Sequence, residues 1–175
     1  ASVAGLMKSK NPEWMVDQIR SMILGTANPI IYTINPETYL INKLGSGRVD
    51  ALTAINTPLF PNIDLAEIDI FINDDTNQAI NAGETVEFSV ILFNNPNWGE
   101  ATNPEINFYC DSENIDIING SIELDNIPAG DAGINFEPII MTFDPSSNAD
   151  TYICNLDFLS NNDSYIYYSK SFDLE

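Results

Sequence analysis

Residues 84–95 read ETVEFSVILFNN, and the fold turns on them. Val86, Phe88, Val90 and Leu92 recur at every second position, with Glu87, Ser89 and Ile91 between them. In an extended chain, that period puts the four apolar side chains on one face and their neighbours on the other. A helix would spread the same residues around its circumference. The stretch therefore predicts a strand with one buried side.

The same period recurs on both sides of it. EIDIFIN (67–73) alternates Ile68, Ile70 and Ile72 with Glu67, Asp69 and Phe71, and EINFYCD (105–111) does so with Ile106, Phe108 and Cys110. NIDIING (114–120), SIELDNI (121–127), INFEPIIMTFD (134–144), TYICNLDFLS (151–160) and SYIYYSKSFDL (164–174) are further strand candidates. Turn clusters such as NDDTNQ, NNPNWGEATN, DPSSNAD and SNND separate several of them. The expected fold is mainly β: an immunoglobulin-like antiparallel β-sandwich of about 7–8 strands.

Charge divides the chain. Of 6 Lys and Arg, five lie at Lys8, Lys10, Arg20, Lys43 and Arg48; of 26 acids, only Glu13, Asp17, Glu37 and Asp50 precede residue 61. Residues 61–175 hold the other 22 acids against Lys170 alone, a net −21, whereas residues 1–60 sum to +1. Two pieces are expected, 1–60 and 61–175, joined near NTPLFPNIDL where Pro58 and Pro61 stiffen the connection. So acidic a module repels nucleic acid and anionic lipid. No run approaches the roughly 18 apolar residues of a membrane-spanning helix. The chain opens ASVAGLMKSK, which carries no secretory signal and reads as the interior of a longer precursor.

In the front piece, PEWMVDQIRSMIL (12–24) predicts a helix with Val16, Ile19, Met22 and Ile23 along one stripe and Gly25 as its stop. SGRVDALTAINTP predicts a second, short helix after Gly47, with Val49, Leu52 and Ile55 on one face and Pro58 at its end. Two short helices bury too little to stand alone, so a larger body is expected against them.

The segments ASVAGLMKSKNPEWMVDQIRSMILGTA and INPETYLINKLGSGRVDALTAI resemble the C-terminal end of the catalytic domain of subtilisin-like serine proteases. In that family the nucleophile lies in a motif of the form G-T-S-M-A-S-P-H-V-A-G, and the domain commonly finishes with K-L-G-x-G-R-V-x-A. Ala1-Ser2 and Val3-Ala4-Gly5-Leu6 match the first motif, and Lys43 through Ala51 match the second, over about 55 residues. The family's Pro-His between Ser2 and Val3 is absent, the helix after Leu6 is shortened, and the nucleophile would fall before Ala1. The resemblance implies a helical remnant of an α/β subtilase domain whose parent hydrolyses peptides. This chain itself holds no catalytic residue. It has 0 His, so a Ser-His-Asp relay has no imidazole, and Ser2 has no base. HExxH and CxxC spacings are missing, as is a phosphate-cradling glycine loop. Nothing in the spacing favours a carboxylate pair for glycoside hydrolysis.

INDDTNQAINAGETVEFSVILFNN further resembles the start of immunoglobulin-like accessory domains found behind secreted bacterial proteases and adhesins, with Asp74, Asp75, Asn81, Gly83 and Glu84 at the matching positions. Asp74, Asp75 and Glu84, with Asn73, offer the hard oxygen donors calcium takes; the plain alternative is an acidic hairpin turn. Cys110 and Cys154 fall at inward positions of strands that neighbour one another in such a sheet. A bond between them would stabilise by about 4 kcal/mol. Two buried thiols are the alternative, and the outside-the-cell location implied by the resemblance favours the disulfide. Trp98 is either a carbohydrate platform or a lid on the open end. Tyr165, Tyr167 and Tyr168 read as packing, and the N-x-S sequons at Asn119 and Asn162 as chance. The expected setting is extracellular or cell-surface. The expected partners are an upstream catalytic domain or neighbouring copies, and the only expected cofactor is calcium. A competing reading is an extracellular adhesive or filament-forming protein that keeps the protease-like segment for docking.

Overall fold

Val86, Phe88, Val90 and Leu92 are all buried, within a ten-residue strand Thr85–Asn94. The coordinates are a computed structural model that describes residues 2–41, 43–72, 80–146, 152–160 and 166–174. Contacts divide the chain into two units, Ala1–Phe60 and Pro61–Glu175.

The first unit carries helices α1 (Ser2–Lys10), α2 (Val16–Gly25), α3 (Ile30–Ile34) and α4 (Ala51–Asn56), with a 3-10 turn at Thr38–Leu40. Its buried apolar residues are Met7, Ile19, Met22, Ala54 and Phe60. The expected helix from residue 12 starts four residues later. The Lys8 ammonium donates to Pro12 O at 2.6 Å and to Trp14 O at 2.7 Å, holding that stretch in a turn. Gln18 Oε1 then accepts the Met15 N–H at 2.6 Å, one half of a capping box, and opens the helix at Val16. Val16 is consequently 81% exposed and leaves the stripe. The expected face of α4 is also corrected. Asp50 Oδ1 accepts the Thr53 N–H at 3.0 Å and starts the helix after Val49, which stays outside it and exposed; within the helix Ala54 faces inward and Leu52 is exposed.

Gly47 shows why this segment needs glycine. Its φ is +133°, a region closed to side-chain-bearing residues, and a Cβ there would meet Asn28 O at 2.5 Å. The approach is close because Asn28 and Arg48 exchange backbone hydrogen bonds of 2.8 and 2.9 Å.

The second unit contains nine strands among the described residues. They are β1 (Ile63–Ile72), β2 (Thr85–Asn94), β3 (Glu105–Cys110), β4 (Ile115–Asn119), β5 (Ser121–Glu123), β6 (Ala132–Ile134), β7 (Ile139–Phe143), β8 (Tyr152–Leu159) and β9 (Ile166–Leu174). One sheet runs β1-β2-β7-β4, with β6 also on β2; the other runs β5-β3-β8-β9, and every pairing is antiparallel. The chain is thus mainly β, with two antiparallel sheets and a few short helices. The apolar faces of the two sheets share one core, in which Phe88 and Phe108 meet with ring centroids 5.5 Å apart. Each fully buried Val, Leu, Ile, Phe or Met side chain in it contributes about 2 kcal/mol by leaving water.

INFEPIIMTFD, expected as one strand, is two. Pro138 has no N–H for a ladder, and the side chain of Asn135 bonds β2 where the chain departs from it. Asn135 Oδ1 accepts the Val90 N–H at 2.6 Å, while its Nδ2 donates to Glu137 O at 2.7 Å and Phe88 O at 3.3 Å. Asn94 plays a similar part at the strand end. Fully buried, it donates to Gly99 O and Ile127 O and accepts from Asn62 N.

Candidate functional site

Cys110 and Cys154 face each other across the β3–β8 ladder and are joined by a disulfide, with Cα atoms 4.1 Å apart and a sequence separation of 44. No described cysteine is free, so the buried-thiol alternative falls away. The bond ties the last residue of β3 to the third residue of β8, its neighbour in the sheet.

Of the acidic hairpin, Asp74 and Asp75 lie outside the described residues, as does Asn73. Glu84 is described, and both its carboxylate oxygens are engaged. Oε2 accepts the Asn81 N–H at 2.7 Å and Oε1 accepts Asn81 Nδ2 at 3.1 Å. The Glu84 N–H in turn donates to Asn81 O at 3.2 Å around Gly83, whose φ of +86° suits the third position of a type II turn. Among the described residues, no group of three or more His, Cys, Asp or Glu is placed to hold a metal ion.

The remaining sequence candidates are scattered. Trp98 is half-buried in the loop after β2, and Ser2 is exposed at the first residue of α1. Asn119 Nδ2 donates to Pro138 O at 2.9 Å, so this sequon amide already holds a structural bond. Asn162 and Tyr165 lie outside the described residues; Tyr167 and Tyr168 fall on β9. Among the described residues, no helix is long and apolar enough to cross a membrane.

One constellation was not anticipated from the sequence. On β8, Leu156 and Phe158 point into the core, so Asp157 between them faces outward, aligned with Asn107 of β3 and Ser169 of β9. The next row across the same face is Tyr109, Asn155 and Ser171. Asp157 is only 8% exposed, and its Oδ1 is buried without a hydrogen-bond partner. Its Oδ2 accepts the Tyr109 hydroxyl at 3.4 Å, a long bond. Partial burial, the Asp157 charge and hydrogen bond, and the Asp111 charge together push the Tyr109 phenol above its usual pKa. Strand alternation marks Asp157 as outward, but only the folded neighbours bury it.

No protein-family model matches this chain, and a search of the curated proteins finds no relative. Among solved structures, a FixG-related protein from Vibrio parahaemolyticus is similar at a TM-score of 0.37 and 10% identity, over 63% of this chain and 95% of that one. A family 123 glycoside hydrolase from Clostridium perfringens is similar at a TM-score of 0.37 and 12% identity, over 67% of this chain and 27% of that one. Likeness at this level carries neither fold nor function across.

Proposed function

We propose that this chain is a non-catalytic portion of a secreted subtilisin-like serine endopeptidase. Residues 1–60 are the closing helices of the catalytic domain, and residues 61–175 an acidic immunoglobulin-like accessory sandwich for support, attachment or substrate contact. The segment Lys43–Ala51 carries the reading. Its residues match the family's closing motif, and Gly47 occupies a backbone position that only glycine fills comfortably. Among the described residues of the first unit, ten large apolar residues are exposed, Val16, Leu52 and Ile34 most of all, against four large ones that are buried. A larger catalytic body would cover them. The disulfide and the missing imidazole fit an extracellular, non-catalytic role. Calcium at Asp74, Asp75 and Glu84 belongs to this reading as its ion. A rise in melting temperature on adding calcium after chelation, at matched ionic strength, tests it.

The coding sequence upstream of Ala1 tests the whole. Asp, His and Ser motifs of the protease family are expected there, and their absence would overturn the reading. Because the Pro-His is absent and α1 ends at Lys10, a filament-forming or adhesive protein that uses the front segment for docking is the second reading. In that case the upstream frame lacks those motifs and the chain self-associates.

A further inference from the structure

A carboxylate oxygen buried without a partner is rare in folded proteins, because removing it from water is unfavourable unless a donor replaces the water. Asp157 Oδ1 is such an oxygen. Its unit cannot supply a charged donor. The one Lys or Arg in residues 61–175 is Lys170, and the ladder sets Lys170 opposite Leu156, on the face away from Asp157. The Tyr109 hydroxyl is weakly held at 3.4 Å, and Tyr109 as a residue is 44% exposed.

The geometry points to the outer face of β3 and β8, at Tyr109 and Asp157, as a seat for one basic side chain, a lysine or arginine of a partner protein. With Oδ1 itself closed to solvent, the partner's cation would take the place of the weakly held Tyr109 hydroxyl on Oδ2 and lie against the Tyr109 ring, pairing charge and cation–π attraction. Asn107, Asn155 and Ser171 in the surrounding rows add neutral hydrogen-bonding groups. A metal ion fits less well, because a lone carboxylate falls short of the several hard donors it takes, and no three-acid group stands among the described residues. The field of the whole unit, at net −21, draws basic partners in and repels acidic ones. This site is independent of the protease reading, since it needs only the second unit's own residues.

A blocked pentapeptide with a single lysine, titrated onto the 15N-labelled full chain, tests it, with the glutamine counterpart as control. Amide shifts confined to residues 107–111 and 155–157 are expected with the lysine peptide alone. Asp157→Asn should weaken binding by about fivefold or more. Asp116→Asn, which neutralises an outward residue on the other sheet, should change it by less than about twofold. Should Asp157→Asn unfold the chain, Tyr109→Ala, which trims an exposed ring, takes its place with the same expected loss. Equal effects of the two neutralisations, or shifts scattered over the acidic surface, would reduce the attraction to net charge and overturn the proposal. So would calcium chloride producing the same local shifts while the lysine peptide does not.

Discussion

Asn135 bonds to Val90 as a strand would: its side-chain oxygen accepts the Val90 N–H at 2.6 Å where the chain has left the β2 ladder. The site is buried, and Asn135 is 3% exposed, so water cannot substitute for the amide. Asn135→Asp keeps the acceptor but points a carboxylate oxygen at Glu137 O and Phe88 O in place of a donor. A loss of about 3 kcal/mol in urea denaturation is expected. Asn135→Leu, which removes both functions, should lose a comparable amount. A loss below about 1 kcal/mol in both variants would show that the amide is not bridging the ladder.

The disulfide predicts its own removal. With a separation of 44 residues, Cys110→Ala together with Cys154→Ala should lose about 2–4 kcal/mol of stability. The β3–β8 ladder continues through Phe108 opposite Leu156 and Ile106 opposite Phe158, so the double variant should still fold. Reducing the parent chain should reproduce the same loss; a variant that melts like the oxidised parent would contradict it.

Acid should destabilise the chain through named carboxylates. The backbone N–H of Thr53, bonded to Asp50, holds that carboxyl below its ordinary value of 3.8. The hydroxyl of Ser146, and then its N–H, do the same for Asp144. A carboxyl whose folded pKa lies below its unfolded one binds fewer protons when folded. Its contribution is therefore present above the ordinary aspartate range and fades as pH falls through the depressed folded value. Denaturation measured from about pH 5 down to about pH 2 should show falling stability, with a shallower fall for Asp144→Asn. Identical slopes for variant and parent would dissociate Asp144 from the effect.

Salt acts in the opposite sense. A chain of net charge −20 repels itself, and raising monovalent salt from 0.01 M to 1 M shortens the screening length from about 30 Å to about 3 Å. The melting temperature should rise with sodium chloride near neutral pH, by about 5 °C or more. A flat or falling response would mean that the acids are spaced too far apart to burden the fold.

The second unit was the more legible half. The alternation of Val86, Phe88, Val90 and Leu92 emerged as burial on one face, since a period of two leaves an extended chain no other way to hide those side chains. Cys110 and Cys154 likewise lay at pairable positions, and their strands came together. The break at Asn135 was harder to see, because an asparagine replacing a ladder bond is invisible until the neighbouring strand is in place. In the first unit the apolar spacing of Ile19 and Met22 corresponds to burial. The helix start and the exposure of Val16 have no such signature in the spacing, because the Lys8 ammonium and the Gln18 amide decide them, and these act across turns.

Sequence alone determined that this chain is mainly β and splits in charge, and that it lacks the imidazole of a serine-protease relay. Those properties follow from residue identity and spacing, which no folding alters. Tertiary structure alone decided that Glu84 spends both oxygens on Asn81 and that Asp157 keeps one buried oxygen unpaired. Burial and hydrogen bonding depend on what other segments bring alongside, and a one-dimensional pattern does not contain that.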